Sequence, residues 1–123
     1  MSVELPFNHY PKKKTAVFWV TFQGPLTPKI IEELVRKKIK TVQFGRDFNS
    51  SIDELPDSIS VISLYYRFKQ SINKLPENLH NFILGNDYPY KINCWQDKIR
   101  TININNNNHL LEGLPIYLMQ LTL

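Results

Sequence analysis

The sequence predicts an α/β solenoid: a stack of 20-residue coils with parallel strands, opened by a strand-helix capping unit. Three observations carry this reading. The first is a set of apolar columns. Ile39, Ile59, Leu79 and Ile99 are 20 apart, as are Val42, Ile62, Phe82 and Ile102, and Phe44, Leu64, Leu84 and Ile104. The second is an aromatic column of Phe48, Phe68 and Tyr88, followed by an aliphatic one of Ile52, Ile72 and Ile92. The third is that Val17, Val20 and Phe22 already show the spacing of Ile39, Val42 and Phe44, ahead of a helical pattern.

The elements follow in order. Residues 1–14 hold Pro6, Pro11 and three consecutive lysines and read as an irregular arm. Residues 15–23 are rich in β-branched and aromatic types and read as a strand, ended by Gly24-Pro25. Thr27 is placed as an N-cap with Pro28 at the first helical position. A helix over 28–38 puts Ile30, Ile31, Leu34 and Val35 on one side, with Glu32 and Glu33 early and Arg36, Lys37 and Lys38 late. A strand, this helix and a parallel strand make a right-handed crossover, and the helix covers the first end of the stack. Thus 15–38 is the capping unit and 39–123 the repeats, divided at 39–58, 59–78, 79–98, 99–117 and a terminal strand over 118–123.

Within each repeat the last two residues of the opening apolar triplet are two apart, so they share one strand face. Leu55-Pro56 and Leu75-Pro76 lie seven residues beyond the aromatic, and Trp95 takes the leucine place in the third repeat. Proline donates no ladder hydrogen bond, so the return side reads as turns. One residue is lost before Leu114-Pro115, after which Leu118, Leu121 and Leu123 restart the pattern.

Phe48-Asn49, Ile52, Leu55-Pro56, Ile59, Ile62 and Leu64 resemble a leucine-rich repeat, and more narrowly the FNIP repeat. The next unit keeps Phe68, Ile72, Leu75-Pro76, Leu79, Phe82 and Leu84-Gly85. The resemblance spans residues 39–123, with the full Phe-Asn-x-x-Ile signature present once. It implies a family of amoebae and giant DNA viruses of protists, often found beside an F-box. It further implies partner binding on the strand face, in host cytoplasm or virion if the source is viral.

Composition bounds the rest. A chain of 123 residues with 42% hydrophobic content is expected to form one domain. One cysteine, Cys94, allows neither an internal disulfide nor a cysteine cluster for metal, which favours a reducing, cytoplasmic setting. No apolar run reaches spanning length and the N-terminus shows no signal-peptide core. Residues 1–40 carry eight basic and three acidic side chains, whereas the repeats are nearly balanced. Lys12, Lys13 and Lys14, and the group Arg36, Lys37, Lys38 and Lys40, read as solvated rather than as a nucleic-acid surface, since no stacking aromatics accompany them.

Catalysis finds little support. His9, His80 and His109 are scattered, Cys94 has no clear activating partner, and the four glycines are too dispersed for a phosphate loop. No catalytic residue, cofactor or metal is assigned. The leading reading is a non-enzymatic protein-interaction module whose contacts are Trp19, Gln43, Tyr65, Ile83 and Asn103 on the strand face. Trp19 has an equal claim to packing under the arm, whereas the asparagine-rich run of Asn103 and Asn105 to Asn108 reads as building turns rather than as a binding site. One alternative is a structural, self-assembling protein that forms a homodimer through Gln120 and Thr122 of the terminal strand. Another is substrate recognition for a ubiquitin ligase.

Overall fold

The computed structural model describes residues 19–22, 24–105, 113–114 and 118–122, and of 19–22 the backbone. Strand β1 spans Trp19–Phe22 and helix α1 spans Pro28–Arg36. Strands β2 (Thr41–Phe44), β3 (Val61–Ser63), β4 (Asn81–Ile83), β5 (Thr101–Asn103) and β6 (Gln120–Thr122) follow. They form one six-stranded sheet in chain order, every pairing parallel. The arm over 1–14, the expected strand residues 15–18 and 23, Asn106 to Asn108, His109 and Leu123 lie outside the described residues.

The columns seen in the sequence are the core. Val42, Ile62, Phe82 and Ile102 stand in register across four strands and are buried. Phe48, Phe68 and Tyr88 stack with centroids 6.1 and 5.9 Å apart and rings within 3° and 7° of parallel. These separations suit offset stacking. Leu55 and Leu75 are buried, whereas Trp95 at the same place is half-buried with its ring edge on Phe82, 5.6 Å between centroids. An indole is larger than the space a leucine fills there.

Each coil is held to the next at two places. On the strand side, one carbonyl takes two successive N–H groups of the following coil. Lys40 accepts from Ser60 and Val61, Ser60 from His80 and Asn81, and His80 from Arg100 and Thr101. Arg100 accepts from Met119 and Gln120, so the lost residue of the last repeat is absorbed without a change of strand register. The return side has no strand or helix from 45 to 60, 64 to 80 or 84 to 100. There, side-chain acceptors replace the ladder. Asn49 Oδ1 accepts from the Lys69 N–H at 2.8 Å, Asp53 Oδ1 from Asn73 at 2.9 Å and Asp57 Oδ1 from Glu77 at 3.1 Å. Every one of these links joins residues 20 apart, as the repeat requires. They satisfy backbone donors that an irregular segment would otherwise leave to water.

Helix α1 departs from its sequence reading. It ends at Arg36, not Lys38, because Lys38 adopts φ 54° and turns the chain. Lys38 N–H bonds the Val35 carbonyl and Ile39 N–H the Leu34 carbonyl, a Schellman arrangement with Leu34 and Ile39 both buried. Lysine stands here where glycine is usual, so the stop signal was invisible in the sequence. At the other end Thr27 does cap the helix, accepting from Ile30 N–H at 3.2 Å. The buried face holds Ile30, Glu33 and Leu34, while Val35 is 54% exposed. Glu33 joins that face because Arg36 neutralises it, and the Arg36 hydrogen bond holds its carboxyl below the usual range. The acidic residues fall in the second turn, so the dipole advantage expected of them is absent.

Two predictions follow from this packing. Asn49→Ala removes the acceptor shared by Lys69 N–H and the Gln70 side chain. It should lower stability by about 1 kcal/mol in urea unfolding, with the slope unchanged. Burial pushes the Tyr88 hydroxyl well above its ordinary range while it donates to the Gln70 carbonyl at 2.7 Å. The folded state therefore keeps this proton where the unfolded chain loses it, so stability is intact below about pH 10 and falls as pH rises beyond it. Tyr88→Phe should flatten that alkaline fall in a pH series of melting temperatures, at a cost of about 1 kcal/mol near neutrality.

Candidate functional site

The strand face is built from residues that alternate with the buried columns. Register places Thr21, Gln43, Ser63, Ile83, Asn103 and Thr122 in one row. Trp19, Thr41, Val61, Asn81, Thr101 and Gln120 form the second. From β2 to β5 these side chains are half-buried or exposed while their neighbours are buried, and on β6 Gln120 and Thr122 flank a half-buried Leu121. Neighbouring strands in a sheet lie about 4.8 Å apart, so each row sets hydrogen-bonding groups at a fixed pitch. The rows are chiefly neutral, and across β4 to β6 they line a shallow depression of about 330 Å³ that includes Asn81, Ile83, Thr101 and Gln120.

The expected contact residues divide. Gln43 and Tyr65 are brought together, with Gln43 Nε2 donating to the Tyr65 hydroxyl at 3.1 Å. Ile83 is 37% exposed in the Gln43 row, and Tyr65 is 42% exposed just beyond the strand ends. Asn103 is half-buried and its Oδ1 accepts from Asn105 N–H at 3.2 Å, while Asn105 Nδ2 reaches the Leu84 carbonyl at 2.6 Å. Asn105 sits at φ 42°, a conformation asparagine tolerates. Asn103 thus serves the turn as well as the face. Trp19 lies in register with Thr41, which fixes its backbone position alone. Gln120 and Thr122 are exposed on β6, the outermost strand at that side of the sheet among the described residues.

Beyond the strand ends the turns add what the sequence reading missed. Gly45, Arg46, Asp47, Tyr65, Tyr66 and Arg67 surround a notch of about 480 Å³. Arg67 Nε lies 3.4 Å from Asp47 Oδ1 and 3.4 Å from the Tyr66 hydroxyl, and its guanidinium carbon is 5.6 Å from the Tyr66 ring centroid. Lys69 Nζ bonds the Tyr66 carbonyl and, at 3.2 Å, that of Asn86, tying two successive turns together. Gly85 makes this spacing possible: a Cβ there would sit 2.3 Å from the Tyr66 nitrogen. Gly85, twenty residues beyond Tyr65, was the signal available, since a glycine among bulky neighbours marks a close approach of two backbones.

Groups considered for chemistry have structural duties. His80 Nδ1 donates to the Asn78 carbonyl at 2.6 Å, since a carbonyl can only accept. Cys94 is half-buried beside the Ile72 carbonyl, and burial pushes its thiol pKa up, away from the thiolate that nucleophilic chemistry requires. Among the described residues no three His, Cys, Asp or Glu side chains converge as metal ligands, and no helix is long and apolar enough to cross a membrane. A scan against protein-family models finds no match, and searches of curated proteins and of solved structures find none.

Gly85→Ala should displace the Tyr65-Tyr66 turn and cost about 1–3 kcal/mol as overpacking against backbone. Amide chemical-shift changes centred on Tyr65 and Tyr66, together with a lowered unfolding midpoint, would report it.

Proposed function

We propose that this chain is an FNIP-like leucine-rich-repeat module, without chemistry of its own, that binds another protein on its strand face. The observation that carries the reading is the pair of in-register rows, which present neutral hydrogen-bonding groups on a stack held by backbone bonds, with Ile83 exposed among them and Tyr65 exposed just beyond the strand ends. A surface already fixed in place loses little conformational entropy on association. Large aromatics such as Tyr65 carry a disproportionate share of interface energy. Helix α1, with Ile30 and Leu34 turned inward and Lys29, Glu32 and Arg36 outward, is read as the end unit of the stack.

A second reading rests on β6. Met119 beside it is 79% exposed, and Gln120 and Thr122 lie open on the outer strand, which suits pairing with a second copy. Affinity capture from the source cell, read by mass spectrometry, separates the readings. A partner retained by the wild type and lost with Tyr65→Ala, Ile83→Ala and Asn103→Ala combined, at unchanged circular dichroism, is the expected result. Recovery of a second copy of the chain, lost on Thr122→Pro, favours self-pairing instead. Recovery of ubiquitin-ligase subunits would identify the module as a substrate receptor. A partner that binds both proteins equally sinks the strand-face reading.

A further inference from the structure

The notch beyond β2 and β3 is an assembly of donors. The Tyr65 hydroxyl oxygen already accepts from Gln43 Nε2, and the Tyr66 hydroxyl oxygen accepts from Arg67 Nε. Each phenol therefore retains its own proton to give elsewhere. Arg67 is steadied by Asp47 and by the face of Tyr66, which fixes the direction of its remaining N–H groups. Arg46 lines the same notch and is exposed, with no ion pair among the described residues. Two guanidinium groups against one carboxylate leave the notch with excess positive charge. Lys69, bound to turn carbonyls immediately behind it, adds to that field.

We propose that this notch seats a side-chain carboxylate of an acidic peptide segment, received between Arg46, Arg67 and the hydroxyls of Tyr65 and Tyr66. An ionised carboxylate is acceptor-only and takes several donors at once, which matches an opening lined by two guanidinium groups and two phenol hydroxyls. A neutral amide in the same place would bring a donor of its own against two guanidinium groups. Asp47 competes for Arg67 from the rim and sets an upper limit on the attraction. The notch shares Gln43 and Tyr65 with the strand face. The inference rests on the protein-binding reading of that face and adds the chemistry of the partner: an extended segment on the neutral rows with an acidic residue at its end.

The test is fluorescence anisotropy at low ionic strength with fluorescein-labelled hexaglutamate, and hexaglutamine as control. Hexaglutamate should bind at least about tenfold more tightly than hexaglutamine, the effect of one charge-assisted hydrogen bond. Arg46→Gln and Tyr65→Phe should each weaken it by up to about tenfold, while Asp47→Asn strengthens it. Added salt should erase the difference. A Lys12→Gln, Lys13→Gln, Lys14→Gln variant should bind as the wild type does. Loss in that variant with retention in Arg46→Gln would assign binding to the arm and overturn the proposal. So would equal affinity for the two peptides, or protection of the Arg46 and Arg67 resonances by inorganic phosphate but not by hexaglutamate. Absence of carboxylate selectivity, with captured partners still dependent on Ile83 and Asn103, removes the notch and spares the strand face.

Discussion

Everything in this fold depends on one constraint: a residue must lie beside its equivalent in the next coil. Parallel pairing of Val42, Ile62, Phe82 and Ile102 sets the register, and the Phe48, Phe68, Tyr88 stack repeats it on the far side of the core. A shift of one residue would turn the buried column outward, because side chains alternate along a strand. No coil has a core of its own, so the apolar surface is buried between coils or not at all. The flat return side then has to find hydrogen bonds without a ladder, and Asn49, Asp53 and Asp57 supply them.

The strand side and the return side use different chemistry for the same task, and this shapes where a site can form. Backbone bonding on the strand side relieves most outward side chains of structural duty, the exceptions including Thr101 paired with Asn81 and Asn103 accepting from Asn105 N–H. On the return side Asn49, Asp53 and Asp57 are occupied with backbone N–H groups of the following coil, and Gln70, Asn78 and Gln96 with carbonyls of the preceding one. Between the two lie the turns at 45–47 and 65–67, whose side chains have partial partners and excess donors. The candidate surfaces therefore gather on the strand face and at its rim.

Much of the frame was legible because a period is a property of the sequence. The columns, the strands, the turn-built return side and the slip before β6 all follow from counting. The end of α1 was not legible, since Lys38 carries no outward sign of the left-handed conformation it adopts. Nor was the buried place of Glu33, which depends on an Arg36 contact three residues on. Asn49 could be read as a motif letter, but its bond to Lys69 N–H is a relation between coils that needs the stack to exist. The same holds for the notch: Tyr65, Tyr66 and Arg67 are adjacent in sequence, while Gln43, Arg46 and Asp47 reach them only by stacking.

The carbonyls that join the coils belong to Lys40, Ser60, His80 and Arg100, whose side chains run from a small hydroxyl to a long guanidinium and take no part in the bond. The joint is blind to identity. Substitution can therefore travel along the outward positions while the scaffold beneath them keeps its geometry, much as type can be reset in a fixed frame. In such an architecture, recognition and foldability are inherited separately, and a new specificity need not wait for a new fold.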